Sequence, residues 1–447
     1  MNRIEINWVK RRVIRLSPPQ MLALGFFGLI ILGGILLKLP IATHHPISWL
    51  DAFFTSASAI TVTCLVTVDT GETFTIFGQI VMLCLIQIGG IGFMSLAVLV
   101  IMTLGKKIGL KQRLLIKEAL NQTSVGGVIK LVKRILLLVF SIEGVAVIFL
   151  TMRWAPEYGF FKGFYYGVFY SVAAFNNAGY SLWPDSLTRY VGDPVVNLVI
   201  GLLVIIGGIG FPVLSDLWTA KDFRSLSLHT KIMLTGTLAL IIFGTVMVFL
   251  LEYNNPKTLG ALSGPDKFWA AFFQGITPRT AGFNTIDYND MKEPTLLVTI
   301  FLMYIGAGSA SAGGGIKVTT FIVIFLSVIA FITGKSDPII FGRRIKREIL
   351  SKALAIFVIS QTLIFIAVFI LMITENAPFL EVLFEVVSAF GTTGLTLGLT
   401  SHLTPIGKLV IMIVMYCGLI GPLTIFFSLS QRQPSKIQYP SGDILTG

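Results

Sequence analysis

The chain has 447 residues, of which 54% are hydrophobic and 13% charged, against roughly 25% charged in an ordinary soluble domain. Lys and Arg number 34 and Asp and Glu 22, a net charge of +12. A soluble globule needs a charged shell that is missing here. The composition therefore excludes a disordered chain, a secreted disulfide scaffold and a soluble enzyme, and points to a polytopic membrane protein. Long apolar runs such as 21–37 and 135–150 read as helices, not as the short alternating strands of a barrel.

The chain begins with Lys10, Arg11, Arg12 and Arg15 ahead of about 20 apolar residues from Pro19. No small-residue cleavage site follows, so this run reads as a retained span. Cys64, Cys84 and Cys417 fall in apolar stretches without metal-ligand spacing and are expected to be free buried thiols. His44, His45, His229 and His402 are scattered, and no zinc or haem site emerges. The positive charge lies in short loops between spans and implies no nucleic-acid partner.

Four segments then resemble one another. They are Ala59-Ile60-Thr61-Val62-Thr63-Cys64-Leu65, Ala174-Phe175-Asn176-Asn177-Ala178-Gly179-Tyr180, Thr277-Pro278-Arg279-Thr280-Ala281-Gly282-Phe283 and Ala389-Phe390-Gly391-Thr392-Thr393-Gly394-Leu395. Their sixth positions, 64, 179, 282 and 394, are 115, 103 and 112 residues apart, the period of a repeated unit. Each unit carries a long apolar helix (about 19–39, 132–152, 230–251, 353–373) and then a short apolar segment (about 49–60, 164–175, 267–278, 381–390). The polar motif follows, and a second long apolar segment ends the unit (about 74–104, 192–219, 295–333, 405–430). Segments of ~10–14 apolar residues are re-entrant rather than spanning. The fold class is all-α: four helix–pore helix–filter loop–helix units around one central pore, with eight spans and four re-entrant pore helices. The boundaries are an N-terminal segment 1–18, repeat 1 at 19–104, a basic linker with repeat 2 at 105–219, repeat 3 at 220–333, a linker with repeat 4 at 334–430, and a tail at 431–447.

The second apolar segments share glycines: Gly89-Gly90-Ile91-Gly92, Gly207-Gly208-Ile209-Gly210-Phe211-Pro212, Gly313-Gly314-Gly315-Ile316 and Gly418-Leu419-Ile420-Gly421-Pro422. These serve either close helix packing or bending near a gate. Lys and Arg counts set the orientation. With both termini inside, segments 1–20, 105–134, 219–231, 334–352 and 430–447 hold 24 of the 34, as the positive-inside rule requires. The outer loops carry Asp69, Glu72, Asp185, Asp193, Asp287, Asp290, Glu293 and Glu375, which would concentrate cations.

Each pore helix aims its partly negative C-terminal end at the axis. The Thr-, Asn- and Gly-rich loops offer hard oxygen ligands that replace the water shell of an alkali cation, and none carries a carboxylate, which argues against a calcium-type filter. Glycine permits the backbone angles that inward carbonyls need. Turn formation alone would explain one such loop; four in register point to a pore. Residues 295–332 as one helix would run about 57 Å, at ~1.5 Å per residue against a ~30 Å core, so they must break. The small residues 306–315 are the place for the break. Lys317 follows at membrane depth, facing the pore, neutralising carbonyls or snorkelling to the cytosol. Arg279 is expected to pair with an acidic group near the pore mouth, Glu143 to pack against a polar partner, and Asp51 and Glu381 to stabilise pore-helix N-termini. Glu385 also lies within a pore helix.

With these motifs the sequence resembles the membrane subunit of the bacterial Ktr potassium-uptake system, in the Trk/Ktr/HKT superfamily, over about 17–430. The resemblance implies a potassium filter built from Thr61, Val62, Thr63, Cys64, Asn176, Asn177, Ala178, Gly179, Thr280, Ala281, Gly282, Thr392, Thr393 and Gly394. It implies an intramembrane gate at 306–315, including Gly308, Ser309, Ala310, Ser311, Ala312, Gly313, Gly314 and Gly315, with Lys317 beside it. It further implies a homodimer in the bacterial cell membrane and a cytosolic octameric ring of nucleotide-binding subunits. ATP, ADP or NAD is expected only on that partner, since this chain has no nucleotide fingerprint. Potassium is cargo, sodium a candidate modulator, and no cofactor or enzymatic activity is expected.

Two departures stand out. Cys64 replaces a family Gly, so one carbonyl position is expected to be distorted and sodium permeation comes into question. Leu419 stands where the family often has Arg, leaving Lys317 and the loop to carry any barrier. The basic stretches 106–117 and 343–347 suit anionic lipid or an acidic partner. The competing readings are a less selective sodium/potassium translocator and a secondary carrier for a small solute. The carrier predicts two related halves and midplane charges, where this sequence has quarter-length units. No catalytic constellation at membrane depth supports an enzyme.

Overall fold

The computed structural model describes residues 18–92, 128–335 and 337–421. The N-terminal basic cluster, the 106–117 cluster, the far end of the first unit's second helix, Pro422 and the tail lie outside the described residues.

Unit one comprises α1 (Pro18–Leu37), α2 (Trp49–Ile60) and α3 (Ile76–Ile91). Unit two is α4 (Val128–Tyr158), α5 (Phe160–Phe175), α6 (Pro194–Ile209) and α7 (Phe211–Thr219). Unit three is α8 (Leu228–Glu252), α9 (Gly264–Ile276), α10 (Glu293–Tyr304) and α11 (Val318–Ile332). Unit four is α12 (Arg347–Thr374), α13 (Phe379–Gly391) and α14 (Pro405–Ile420), preceded by a hairpin of β1 (Ile339–Ile340) and β2 (Arg343–Arg344). The helix order matches the repeat read from the sequence. Helices α4 and α12 run past their apolar windows because helical hydrogen bonding continues into the polar turns where lipid contact stops. Outward residues such as Leu24, Leu137, Leu238 and Phe365 are exposed. That surface suits hydrocarbon rather than water.

Caps fix where the inner helices start. Ser48 accepts from the Asp51 N–H (3.0 Å) at α2, Asp193 from Val195 and Val196 at α6, and Thr404 from Gly407 (3.1 Å) at α14. Each satisfies orphan amides of a first turn. Pro194 and Pro405 occupy first helical positions, where a missing N–H costs nothing.

The long second segments are the main correction. Helix α3 stops at Gly92 (φ +84°), α6 at Gly210 (+106°) and α14 at Gly421 (+87°). Helix α7 leaves α6 at 95°. In unit three an irregular segment separates α10 from α11. Both expected uses of the glycines occur, at different positions. The earlier ones let helices touch: a Cβ would lie 2.1 Å from the Ile60 carbonyl oxygen at Gly89, 1.8 Å from that of Phe175 at Gly207 and 2.2 Å from that of Phe390 at Gly418. The later ones turn the chain in a left-handed conformation that a side chain disfavours.

The units close into a ring. Each pore helix packs on the second helix of the unit before it: α5 on α3, α9 on α6, α13 on α10, and α2 on α14. Lys408 of α14 donates to Asp51 of α2 at 2.7 Å, clasping the seam where the fourth unit meets the first. Of the cysteines, Cys64 is buried and Cys417 half-buried, but Cys84 is exposed on α3. An apolar environment there is lipid rather than protein core.

Candidate functional site

The four motif loops follow the C-termini of α2, α5, α9 and α13. Their amides point back at the pore helices. Thr63 N donates to Ser58 O (2.9 Å), Ala178 N to Ala173 O (2.7 Å), Ala281 N to Thr277 O (3.0 Å) and Thr393 N to Ser388 O (2.9 Å). The carbonyls are left over. Among the described residues, those of Val62, Thr63, Asn177, Ala178, Thr280, Ala281, Thr392 and Thr393 accept no hydrogen bond, although all eight residues are buried. Buried carbonyls without partners are rare. Four such sets, one from each motif loop, offer hard oxygen atoms of the kind that can replace a cation's water shell.

The loops touch in sequence around one axis. A Cβ on Gly179 would lie 2.3 Å from Gly282 C, one on Gly282 2.3 Å from Thr393 O, and one on Gly394 2.2 Å from Thr63 O. The Cys64 sulfur faces the amides of Gly179 and Tyr180, closing the circle. Left-handed residues alternate in three loops: Val62 (φ 57°) and Cys64 (69°), Thr280 (70°) and Gly282 (77°), Thr392 (50°) and Gly394 (86°). This alternation turns successive carbonyls to the same side. Cys64 shares the positive φ of Gly282 and Gly394, at a cost of about 1–2 kcal/mol for a residue with a side chain. The second loop differs. Asn177 is left-handed (56°) but Gly179 is not, so glycine is needed there for close approach and not for φ.

The threonine hydroxyls serve the scaffold. Thr61 Oγ1 donates to Ala57 O (2.7 Å) and lies 2.8 Å from Thr63 Oγ1. Thr280 Oγ1 accepts from Asn177 Nδ2 (2.9 Å), and Thr392 Oγ1 accepts from Gly314 N (2.7 Å).

The Thr392 bond joins the loops to the broken segment of unit three, which sits directly against them. A Cβ on Gly313 would fall 2.2 Å from Thr280 Oγ1, and one on Gly314 2.5 Å from Thr392 Cγ2. Ile305 and Ile316 bridge in parallel where the segment leaves and rejoins the helices. Across to unit two, Gly308 N donates to Gly208 O (2.8 Å) and Phe211 N to Ala310 O (3.0 Å). Ala312 and the three glycines Gly313, Gly314 and Gly315 are buried, whereas Ser309, Ala310 and Ser311 are half-buried. Lys317, half-buried, donates to Gly313 O at 2.6 Å and so ties the segment's own backbone.

Behind the filter lie buried charges. Glu143 of α4 accepts from Gln87 Nε2 at 3.0 and 3.2 Å and from Asn176 Nδ2 at 3.3 Å. The expected polar partners are thus Gln87 and, in the second motif loop, Asn176. Gln87 escaped the sequence reading, although an amide two positions before Gly89 in an otherwise apolar stretch is a usable signal. Arg279 corrects its expectation: no carboxylate pairs with it among the described residues. Its Nη atoms reach Thr237 O and Oγ1 of α8 at 3.5 Å, and its Nε has no partner. The side chain leaves the loop away from the axis, where the outer acidic residues are out of reach. Glu385 accepts from Thr396 Oγ1 (2.7 Å) and from Thr400 Oγ1, which anchors the chain after the fourth loop. Glu381 occupies the first turn of α13, as Asp51 does that of α2. Among the described residues no cluster of metal-ligating side chains occurs.

Comparison with known proteins agrees with this architecture. The family described as TrkH, cation transport protein, matches residues 26–439. The chain is 56% identical to the Ktr system potassium uptake protein B of Bacillus subtilis over 442 residues, covering 99% of this chain and 98% of that protein. It is 43% identical to the protein of the same name from Vibrio alginolyticus, over 98% of this chain and 97% of that one. It is 39% identical to the potassium/sodium uptake protein NtpJ of Enterococcus hirae, over 98% and 99%. Among solved structures, the potassium transporter TrkH from Vibrio parahaemolyticus shares the fold, with a TM-score of 0.73 at 19% identity over 96% of this chain and 87% of that one. This multi-pass membrane chain belongs to the TrkH family of cation transport proteins.

Proposed function

We propose that the chain carries potassium into a bacterial cell across the cell membrane, with both termini cytoplasmic. The observation that carries this reading is the ring of buried, unpartnered carbonyls from Val62–Thr63, Asn177–Ala178, Thr280–Ala281 and Thr392–Thr393. A potassium ion sheds its water there and takes carbonyl oxygens instead. The pore-helix C-termini favour its charge. The printed names of the B. subtilis and V. alginolyticus relatives support potassium as the cargo.

Below the filter, the segment 306–315 with Lys317 acts as the gate. Its hold on Thr392, Gly208 and Phe211 must loosen for the ion to pass. The relatives' names speak of a Ktr system, which supports a partner component. We assign that role to a cytosolic octameric ring that carries the nucleotide, ATP, ADP or NAD, and acts on a homodimer of this chain.

A second reading, a less selective sodium/potassium translocator, draws on Cys64 and on the name of the E. hirae relative. One experiment separates them: potassium, rubidium and sodium flux into proteoliposomes, for the wild-type chain and Cys64→Gly. Potassium and rubidium well above sodium support potassium uptake. Equal sodium flux favours the second reading. Flux of no cation, with or without a ring partner, removes both and returns the solute carrier.

A further inference from the structure

Two buried charges beside the filter have no opposite charge within pairing distance among the described residues. Glu143 is 4% exposed and Arg279 7%. Every side-chain group that touches the Glu143 carboxylate is a donor: Gln87 Nε2 reaches both oxygens and Asn176 Nδ2 reaches one. The amide orientations are fixed, because Asn176 Nδ2 also donates to Gln87 Oε1 at 2.7 Å and Val172 O at 2.8 Å. Both carboxylate oxygens are therefore placed to accept, and these donors favour the ionised form over the neutral one. Arg279 keeps its charge at any accessible pH, yet among the described residues its guanidinium makes two contacts, both to Thr237 at 3.5 Å.

The two charges flank adjacent quarters of the ring. Glu143 holds Asn176 of the second loop, and Arg279 belongs to the third. Asn177 Nδ2 joins the loops through Thr280 Oγ1 (2.9 Å) and Arg279 O (3.5 Å). A cation on the axis therefore sits in the field of one buried anion and one buried cation. Both act through protein rather than water, where Coulomb terms are least screened.

We propose that Glu143 and Arg279 are an opposed pair that sets the filter's affinity for its cation, the carboxylate raising it and the guanidinium lowering it. The pair balances tight entry against ready exit, which conduction requires. Neither residue touches the ion. Glu143 acts through Asn176 and from a distance, and Arg279 from behind its own loop. The inference rests on the potassium reading above.

The sign of the effect distinguishes this role from support of the fold. Removing either member of a purely structural relay would lower flux in the same direction. Removing opposed charges moves the apparent KM in opposite directions. The test is the potassium concentration dependence of flux in proteoliposomes of the full chain. For Glu143→Gln the KM is expected to rise about three- to tenfold. For Arg279→Gln it is expected to fall by a similar factor, with a lower maximal rate because the ion leaves more slowly. The double variant returns to within about twofold of wild type, and the charge-keeping variants Glu143→Asp and Arg279→Lys do the same.

Potassium-dependent thermal stabilisation of the detergent-solubilised proteins gives a second readout of affinity. It serves for any variant that folds but reconstitutes poorly, and its midpoints should shift with the same opposed signs. Parallel shifts, no shift in either single variant, or a double variant worse than both would overturn the pairing. A wild-type chain that passes no cation would speak against the function instead.

Discussion

The filter loops and the gate segment are both irregular backbone at membrane depth, yet they are held in different ways. Each filter loop is tied by its own amides to the end of its own pore helix, as in Thr63 to Ser58 or Thr393 to Ser388. The gate segment is tied across units, by Gly308 to Gly208, Ala310 to Phe211, and Gly314 to Thr392. Local ties are made with the secondary structure and fix the carbonyls in place. Long-range ties can be released one at a time without unfolding a helix. Side-chain ties such as Asn177 to Thr280 also cross between loops, so the difference lies in the backbone amides, local in the loops and partly between units in the segment; on the proposed function this makes the ring fixed and the segment releasable.

The largest effect should come from breaking the rigid side. In Gly394→Ala the new Cβ meets Thr63 O at 2.2 Å in a left-handed backbone (φ +86°). Left-handed strain and overpacking together cost about 2–4 kcal/mol, and potassium flux should fall at least a hundredfold. Gly179→Ala should match it by crowding alone, since its Cβ would lie 2.3 Å from Gly282 C. Flux assays on purified protein of unchanged elution profile check both.

Loosening the movable side should act the other way. Thr392→Val removes the acceptor of the Gly314 N–H while keeping the side chain's shape, at about 1 kcal/mol. Basal flux of the chain alone should rise about threefold to tenfold. Lys317→Met, which frees Gly313 O, should behave alike. A fall in basal flux for both would contradict a plug held by these bonds.

Cys64→Gly sharpens the comparison at one atom. It relieves a left-handed backbone (φ 69°) worth about 1–2 kcal/mol but removes the sulfur packed against the Gly179 and Tyr180 amides. With the relief larger than a weak sulfur contact, sodium flux relative to potassium should drop about twofold to fivefold. The smallest effect belongs to Asp51→Asn. It weakens the 2.7 Å clasp to Lys408, a pair with both side chains 16% exposed, and should lower the melting temperature by a few degrees, about 1 kcal/mol. Flux should hardly change.

Much of this was legible in the sequence because a repeat multiplies weak signals. Thr392-Thr393-Gly394 alone is a turn; aligned with Thr280-Ala281-Gly282 and Asn177-Ala178-Gly179 it marks a ring. Apolar run length located α1, α8 and the pore helices, and excess length located the break in unit three. What stayed hidden depends on partners far apart in the chain. Arg279 looked destined for a carboxylate because charge seeks charge, but the fold points it at Thr237. Gln87 carried no obvious role until α3 met α4 and the second loop. The glycine groups marked candidate bends, but which glycine of each group turns the chain (Gly92, Gly210 and Gly421) and which allows close packing was not legible, because composition does not report backbone angle.

Rubidium anomalous diffraction from crystals of the chain would test the central claim most directly. The account predicts density on the axis ringed by the carbonyls of Val62, Thr63, Asn177, Ala178, Thr280, Ala281, Thr392 and Thr393, and weaker density when sodium replaces rubidium before the soak. Rubidium bound only elsewhere, with those carbonyls turned to protein donors, would contradict it.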